Sequence, residues 1–448
     1  WIITAFVVAT AVGTVLTGWL SGRFGRRKVF LGSIIGFTIT SALCAVAGSL
    51  EELVFYRILQ GFFSAPLLPV SQAIMLDTYP RRLHGFAMSI WSLGMILGPI
   101  VGPTLGALLT EYYGWRYLFW MNIPLGVAAF VAILITLPEA QTRRQGLDWI
   151  GVSSLVIGVS FLQLMLDRGE RLDWFQSTEI IIEATVATLA LYIFVVHSLT
   201  HPRPYINLTI FRDRNFVVGL SLIFMFGIAV FSSLFILPLF LQNVQDYPVL
   251  SAGWIVSVRG IGTMIAMMMG GVLADRFPAK YLILLGLVSV GLSNIVMTQW
   301  TSEVQVDEIV WVTVVNGYGM GMMWISLTTV TFSTLAPSFR VEGAALFALI
   351  RSIGASMGTS IIVAILVRSS QVNYIEMRDH INAFAEVLGT LSSWNYDSAA
   401  GMATLQKLVL AQAEMVAYLN AFVFLVVVAF IAMPLVFLLR RPPEGGPR

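Results

Sequence analysis

Charged side chains are scarce in this 448-residue sequence, so those inside apolar runs carry information. Three arginines lie there: Arg57, Arg259 and Arg351. An ionised group at mid-depth in hydrocarbon costs at least about 2.5–3.5 kcal/mol, so such residues face a partner or a wet cavity, or snorkel to an interface. Arg57 has Glu51 and Glu52 within six residues as snorkelling partners and Gln60-Gly61 one turn onward. Both readings stand. Arg351 lies eight residues in from Gly343, which favours a cavity. Glu183 is the one acid well inside a run, and its place near the run's start favours an interfacial role over a coupling one. His197 and His201 have the i, i+4 spacing of a helical metal pair, but no third ligand is visible. They read as interfacial residues with Pro202 ending the helix, and neither a metal site nor a cofactor is expected. No nucleophile–base pair emerges, so an enzyme is not expected, and Cys44 alone makes no internal disulfide.

The elements that must hold these residues follow from composition. The chain is 57% hydrophobic and 11% charged, with a mean hydropathy of +0.84. Soluble domains run at about 45–50% apolar and about 25% charged. A net charge of +2 offers nothing to nucleic acid. The class is an all-α polytopic membrane protein. At about 20 apolar residues per crossing, thirteen spans are expected: 1–20, 29–49, 53–76, 85–109, 117–137, 149–166, 179–199, 215–241, 250–273, 281–299, 309–335, 343–367 and 416–439. Of the 26 Lys and Arg, one set of alternate loops holds 17, the other 6, and spans hold the remaining 3. The positive-inside tendency makes the 17-rich side cytoplasmic, with the C-terminus inside. Because the sequence starts within an apolar run, Trp1-Ile2-Ile3, a first helix is expected to precede Trp1.

Two halves are visible. Gly18-Trp19-Leu20-Ser21-Gly22-Arg23-Phe24 recurs as Gly271-Val272-Leu273-Ala274-Asp275-Arg276-Phe277, an offset of 253. Gln60-Gly61 recurs as Asn316-Gly317 at 256, and Gly94 and Gly98 as Gly354 and Gly358 at 260. Such internal symmetry is a hallmark of transporters. The expected plan is an N-terminal half over 1–138, an inserted two-helix hairpin over 139–214, and a C-terminal half over 215–448. With the helix expected before Trp1, each half has six spans.

In the fourth span, Gly94, Gly98, Gly102 and Gly106 share one helix face, with Pro99 and Pro103 between them. Such a face admits a second backbone at close range, and the prolines bend the helix. The loop from Gly18 to Lys28 combines two close-approach glycines, Gly18 and Gly25, with four cations that anchor it on an anionic surface. The long external loop, 368–415, is too long for a passive connection. Helices over 372–391 and 399–417, split by Ser392-Ser393-Trp394-Asn395, are expected to lie over the external mouth. They would gate the exit or meet an adaptor; a partnerless loop is the alternative. A substrate cavity is expected at mid-depth between the halves. Gln60, Gln72, Phe224, Phe226, Phe231, Phe235, Asn316, Tyr318, Met320 and Trp324 are its candidates, although Phe and Met at helical spacing are more often packing or lipid-facing residues than substrate contacts.

These motifs resemble the major facilitator superfamily, and within it the fourteen-span drug:proton antiporters of the EmrB type, along nearly the whole chain. The likeness is strongest at Trp115-Arg116-Tyr117-Leu118-Phe119-Trp120-Met121-Asn122-Ile123-Pro124-Leu125-Gly126 and at Leu162-Gln163-Leu164-Met165-Leu166-Asp167-Arg168-Gly169-Glu170-Arg171-Leu172-Asp173-Trp174-Phe175. The resemblance implies a major facilitator fold and proton coupling through Arg57 and Gln60, whose carboxylate partner would sit in the first span. It implies a cytoplasmic latch at Arg23, with Gly22 where the family has aspartate, and at Asp275 and Arg276 in the other half. Arg351 matches the family pattern; Arg259 matches nothing. The fourth-span glycines and prolines look like the antiporter motif and so imply export, against a peptide:proton symporter.

The expectation is therefore proton-driven export of hydrophobic and amphipathic drugs by alternating access across a bacterial inner membrane. A periplasmic membrane-fusion adaptor and an outer-membrane channel are the implied partners. Export of a lipid, siderophore or endogenous metabolite is the alternative, and a non-transporting receptor or scaffold the second.

Overall fold

A computed structural model describes residues 1–79, 84–137, 146–202, 204–273, 277–336, 339–380 and 399–440. Its helices are α1 (Ile2–Phe24), α2 (Arg26–Val46), α3 (Leu50–Ser64), α4 (Leu67–Thr78), α5 (His84–Tyr113), α6 (Tyr117–Trp120), α7 (Asn122–Thr136), α8 (Trp149–Arg168), α9 (Thr178–Thr200), α10 (Arg214–Asn243), α11 (Val249–Ser257), α12 (Arg259–Leu273), α13 (Ala279–Met297), α14 (Val306–Ser333), α15 (Arg340–His380) and α16 (Ala399–Val436). No strand occurs among the described residues. Among the described residues, twelve segments, α3–α4, α6–α7 and α11–α12 each counting as one, are long and apolar enough to cross a membrane. They coincide with twelve of the thirteen expected spans. The other, 85–109, lies within the 30-residue α5.

Helix ends follow local chemistry. Ser49 caps α3 by accepting from the Glu52 amide (3.2 Å), with Glu51 and Glu52 in the first turn. Asp148 and Asp213 cap α8 and α10 through the amides of Gly151 and Phe216 (both 3.0 Å). Gly25 joins α1 to α2 at φ 85°, a backbone that glycine adopts without strain.

Across the seam between the halves, α1 packs on α15 and α5 on α11 and α12. The sequence repeat relates α1 to α12 and α5 to α15, so both contacts are one pairing made twice. The α8–α9 hairpin lies against that seam: α8 touches both α1 and α15. Thr4 donates to Asp167 on the α1 side; Gln163 donates to Ser356 and Ser360 to the Leu166 carbonyl on the α15 side. The motif at the hairpin's tip forms tight turns, with Asp173 and Trp174 at positive φ and the Trp174 indole donating to Glu170 (2.7 Å). Glu170 also lies 3.6 Å from Arg368.

One expectation is corrected. Within the described residues, 372–380 and 399–417 are not separate helices laid over the mouth, and 381–391 lies outside the described residues. They continue the spans as α15 (41 residues) and α16 (38 residues). At about 1.5 Å per residue each far exceeds the roughly 30 Å membrane core. From Thr359 to His380 there is no glycine or proline to stop α15, so it propagates. Asn420 ties the two together by donating to Ser369 (2.7 Å). The predicted break, Ser392 to Asn395, lies outside the described residues.

Candidate functional site

The repeat reappears as a matched set of hydrogen bonds. In the first half, Gln60 of α3 donates to Ser41 of α2 (2.5 Å), and Thr10 of α1 donates to the Gly61 carbonyl (3.2 Å). In the second, Asn316 of α14 donates to Ser293 of α13 (2.8 Å), and Thr263 of α12 to the Gly317 carbonyl (3.0 Å). The glycines are equally tight. A Cβ on Gly61 would sit 2.4 Å from the Phe6 carbonyl oxygen, and one on Gly317 2.0 Å from that of Arg259. Gln60 and Asn316 are buried and pin neighbouring helices. Serving the scaffold, they are absent from the cavity walls described next.

That cavity, about 310 Å³, lies between the halves. Leu68 of α4 and Met95 of α5 contribute from the first half; Phe226, Phe231, Arg259, Met320, Trp324 and Arg351 are prominent from the second. Phe226 packs on Trp324 with ring centroids 5.4 Å apart. The Arg351 guanidinium sits 5.8 Å from the Phe231 ring and 6.0 Å from Trp324, within cation–π range. Arg259 is only 5% exposed and donates to Ser233 (2.9 Å). Its Nε and Nη1, and Nε of Arg351, are buried with no hydrogen-bond partner among the described residues. No carboxylate among those residues lies within ion-pairing range of either arginine.

Phe226, Phe231, Met320, Trp324 and Arg351 were expected at the cavity and line it. Phe224 does not: it packs toward Ile228, Ala229 and Val428, with its backbone against Gly354. Phe235 points outward, 39% exposed. Tyr318 packs beside Ala266, Leu282 and Met322, and Gln72 is buried in α4 away from these walls. Arg259 is the residue that motif reading missed. Its signal was the repeat, since offset 253 places it opposite Phe6, on the helix face that meets Gly317.

Arg57 does not reach Glu51 or Glu52. It donates to Gln60 (2.7 Å) and the Ile2 carbonyl (3.3 Å) and stacks over Phe6 at 4.2 Å. Arg23 is exposed and stacks on Trp19 (5.2 Å) and Phe24 (5.9 Å). Asp275 and Arg276 lie outside the described residues. Among the described residues, Gly18 has no neighbour within 4 Å of an added Cβ, so the close approach expected there is not made by them. In α5, likewise among the described residues, Gly94, Gly98 and Gly102 have no such neighbour, and Gly106 has Leu118 at 3.8 Å. The face of α5 that does touch the second half is marked by Thr104, 2.7 Å from Ser257 of α11. Pro99 and Pro103 lie within α5, with side chains outside the described set. Glu183 is buried, 3.5 Å from Arg168, at the end of α9 beside the hairpin's tip.

Comparison with known proteins brings in relatives. A family model described as the Major Facilitator Superfamily matches residues 1–359. The multidrug export protein EmrB of Escherichia coli strain K12 is 35% identical over 388 residues, covering 86% of this chain and 76% of the relative. EmrB of Haemophilus influenzae is 29% identical, covering 99% of this chain and 88% of its own length. The fatty acid resistance protein FarB of Neisseria gonorrhoeae is 28% identical, covering 100% and 89%.

Proposed function

The chain belongs to the major facilitator superfamily, and from that premise we propose that it exports hydrophobic and amphipathic drugs and toxic compounds, driven by the proton gradient. The observation that carries this reading is the largely apolar cavity of about 310 Å³ set between two halves that share a skeleton. Volume and lining suit a bulky amphipathic ligand. A cavity on the seam is opened to either side by rocking one half against the other. Arg57 and Gln60 take part in proton coupling, and Arg23, Asp275 and Arg276 in latching the cytoplasmic face. The protein resides in a bacterial inner membrane with its C-terminus cytoplasmic, and α15 and α16 present their extensions to a periplasmic membrane-fusion adaptor that leads to an outer-membrane channel.

The test is reconstitution in vesicles with an imposed pH gradient, following proton release as drugs are added. Drug-dependent release that Arg57→Ala alters supports the reading. No response to any amphipathic cation or uncoupler, with Arg57→Ala indistinguishable from the parent, sinks it.

A second reading is favoured by the cavity's arginines: the cargo is an anionic amphiphile of the lipid class. Two guanidiniums without a carboxylate partner among the described residues leave buried positive charge that a bound anion would neutralise. The name of the relative FarB, a fatty acid resistance protein, points the same way.

A further inference from the structure

The base of the inserted hairpin brings Asp148 to a pair of histidines 49 or more residues further along the chain. Asp148 caps α8, His197 stands in the last turn of α9, and His201 is the C-cap residue. One ligand atom from each falls within a set whose members all lie within 4.8 Å of one another. His197 Nε2 is 2.8 Å from Asp148 Oδ1, and the two imidazoles stack with centroids 4.8 Å apart and planes 29° from parallel. The His201 amide still donates to the His197 carbonyl (2.8 Å), which holds the second ring one turn beyond the first.

The carboxylate is fixed by backbone amides. Asp148 accepts from the Gly151 amide through Oδ1 and the Tyr205 amide through Oδ2, each at 3.0 Å. Deprotonated ligands on rigid supports are what metal binding needs.

We propose that Asp148, His197 and His201 form a site for a divalent transition metal of the zinc class. Two imidazoles and one carboxylate are the donors such ions use, with further positions left to water. Calcium and magnesium, which demand mostly oxygen, are disfavoured. The ion joins the N-terminus of α8 to the C-terminus of α9 and so closes the hairpin at its base. It also stiffens the link to the first half, because the Tyr205 segment held by Asp148 donates its phenol to the Val15 carbonyl of α1.

The experiment uses the full chain, purified with a tag free of histidine and placed in lipid nanodiscs. Co²⁺ is titrated while its visible absorption is followed, and Zn²⁺ is titrated by calorimetry. One ion per chain is expected, with the absorption of a low-coordinate nitrogen and oxygen site. His201→Ala, at an exposed position, and His197→Gln, which can still hydrogen-bond Asp148, each weaken binding by more than about tenfold. His380→Ala changes nothing. Zn²⁺ raises the melting temperature of the parent but not of His201→Ala. Absence of any bound ion, or one ion still held with unchanged affinity by both His201→Ala and His197→Gln, overturns the site and leaves the Asp148–His197 contact a hydrogen bond only.

Discussion

The two halves share their backbone contacts and differ in where they place charge. At offset 253 the second half has Arg259 where the first has Phe6; at 256, Thr313 where the first has Arg57; at 260, Arg351 where the first has Trp91. The polar pins around these positions, Gln60–Ser41 and Asn316–Ser293, are kept. The first half therefore holds its cation beside Ile2, stacked on Phe6. The second holds both of the arginines within its spans on the cavity, and the first half gives that cavity Leu68 and Met95. A duplicated scaffold thus lines one cavity unevenly: apolar walls from both sides, and guanidinium groups from one.

The hardest blow to that shared scaffold falls at its tightest points. Gly317→Leu and Gly61→Leu each drive a side chain into a neighbouring carbonyl. The backbone cannot yield as a side chain could, so overpacking costs upward of about 1–3 kcal/mol. Both variants are expected to lose most of their monodisperse, detergent-stable protein in size-exclusion profiles. If one glycine tolerates leucine while the other does not, the halves are not equivalent at this contact.

Much of the fold was legible because few physical alternatives exist for a chain this apolar. Runs of about 20 apolar residues have to be helices in a bilayer, and the repeat could be read from glycines that permit close contact. Orientation around each helix was not legible. Phe224 and Phe226 are two residues apart, roughly 200° around a helix. One packs beside Val428 and the other lines the cavity, and only the neighbours decide which. The long-range partners were hidden for a related reason. Asp148 lies 49 residues from His197, and the hairpin closes that distance. Arg259 had no motif, and its meaning depends on walls drawn from six other helices. The tip motif was legible as unusual, but its turn at Asp173 required coordinates.

The division of charge is tested next. Arg259→Met removes a guanidinium from the cavity and leaves the carbon skeleton nearly unchanged in length. A hydrogen bond to a charged group is worth about 1.5–3 kcal/mol, so affinity for an anionic amphiphile is expected to fall by roughly tenfold to a hundredfold. Binding of a neutral amphiphile should hold or improve. Thermal stability should be unchanged or higher, because a buried charge with no carboxylate partner among the described residues is gone. Arg57→Met, outside the cavity walls, is expected to leave anion affinity within about twofold and to alter proton release instead. Fluorescence binding in nanodiscs beside proton release in vesicles separates the two. Equal losses of anion affinity in both variants would break the division.

The smallest expected effect lies where the repeat is clear in sequence and absent in packing. Gly354 and Gly358 of α15 meet α10, with the Phe224 carbonyl 2.3 Å and Ile228 Cα 2.8 Å from their respective added Cβ atoms. Their counterparts Gly94 and Gly98 face open space among the described residues. Alanine at Gly354 therefore has to push on a backbone, while alanine at Gly94 enters a vacant volume and gains helix propensity of up to about 1 kcal/mol. Gly354→Ala is expected to lower the melting temperature clearly, and Gly94→Ala to leave it unchanged or raise it slightly. Transport then gives a reading that stability cannot. If Gly94→Ala is stable yet exports poorly, the glycine face of α5 meets a neighbour in another state of the transport cycle, and its role lies in motion. If it exports normally, the fourth-span glycines act through the bend of α5 alone.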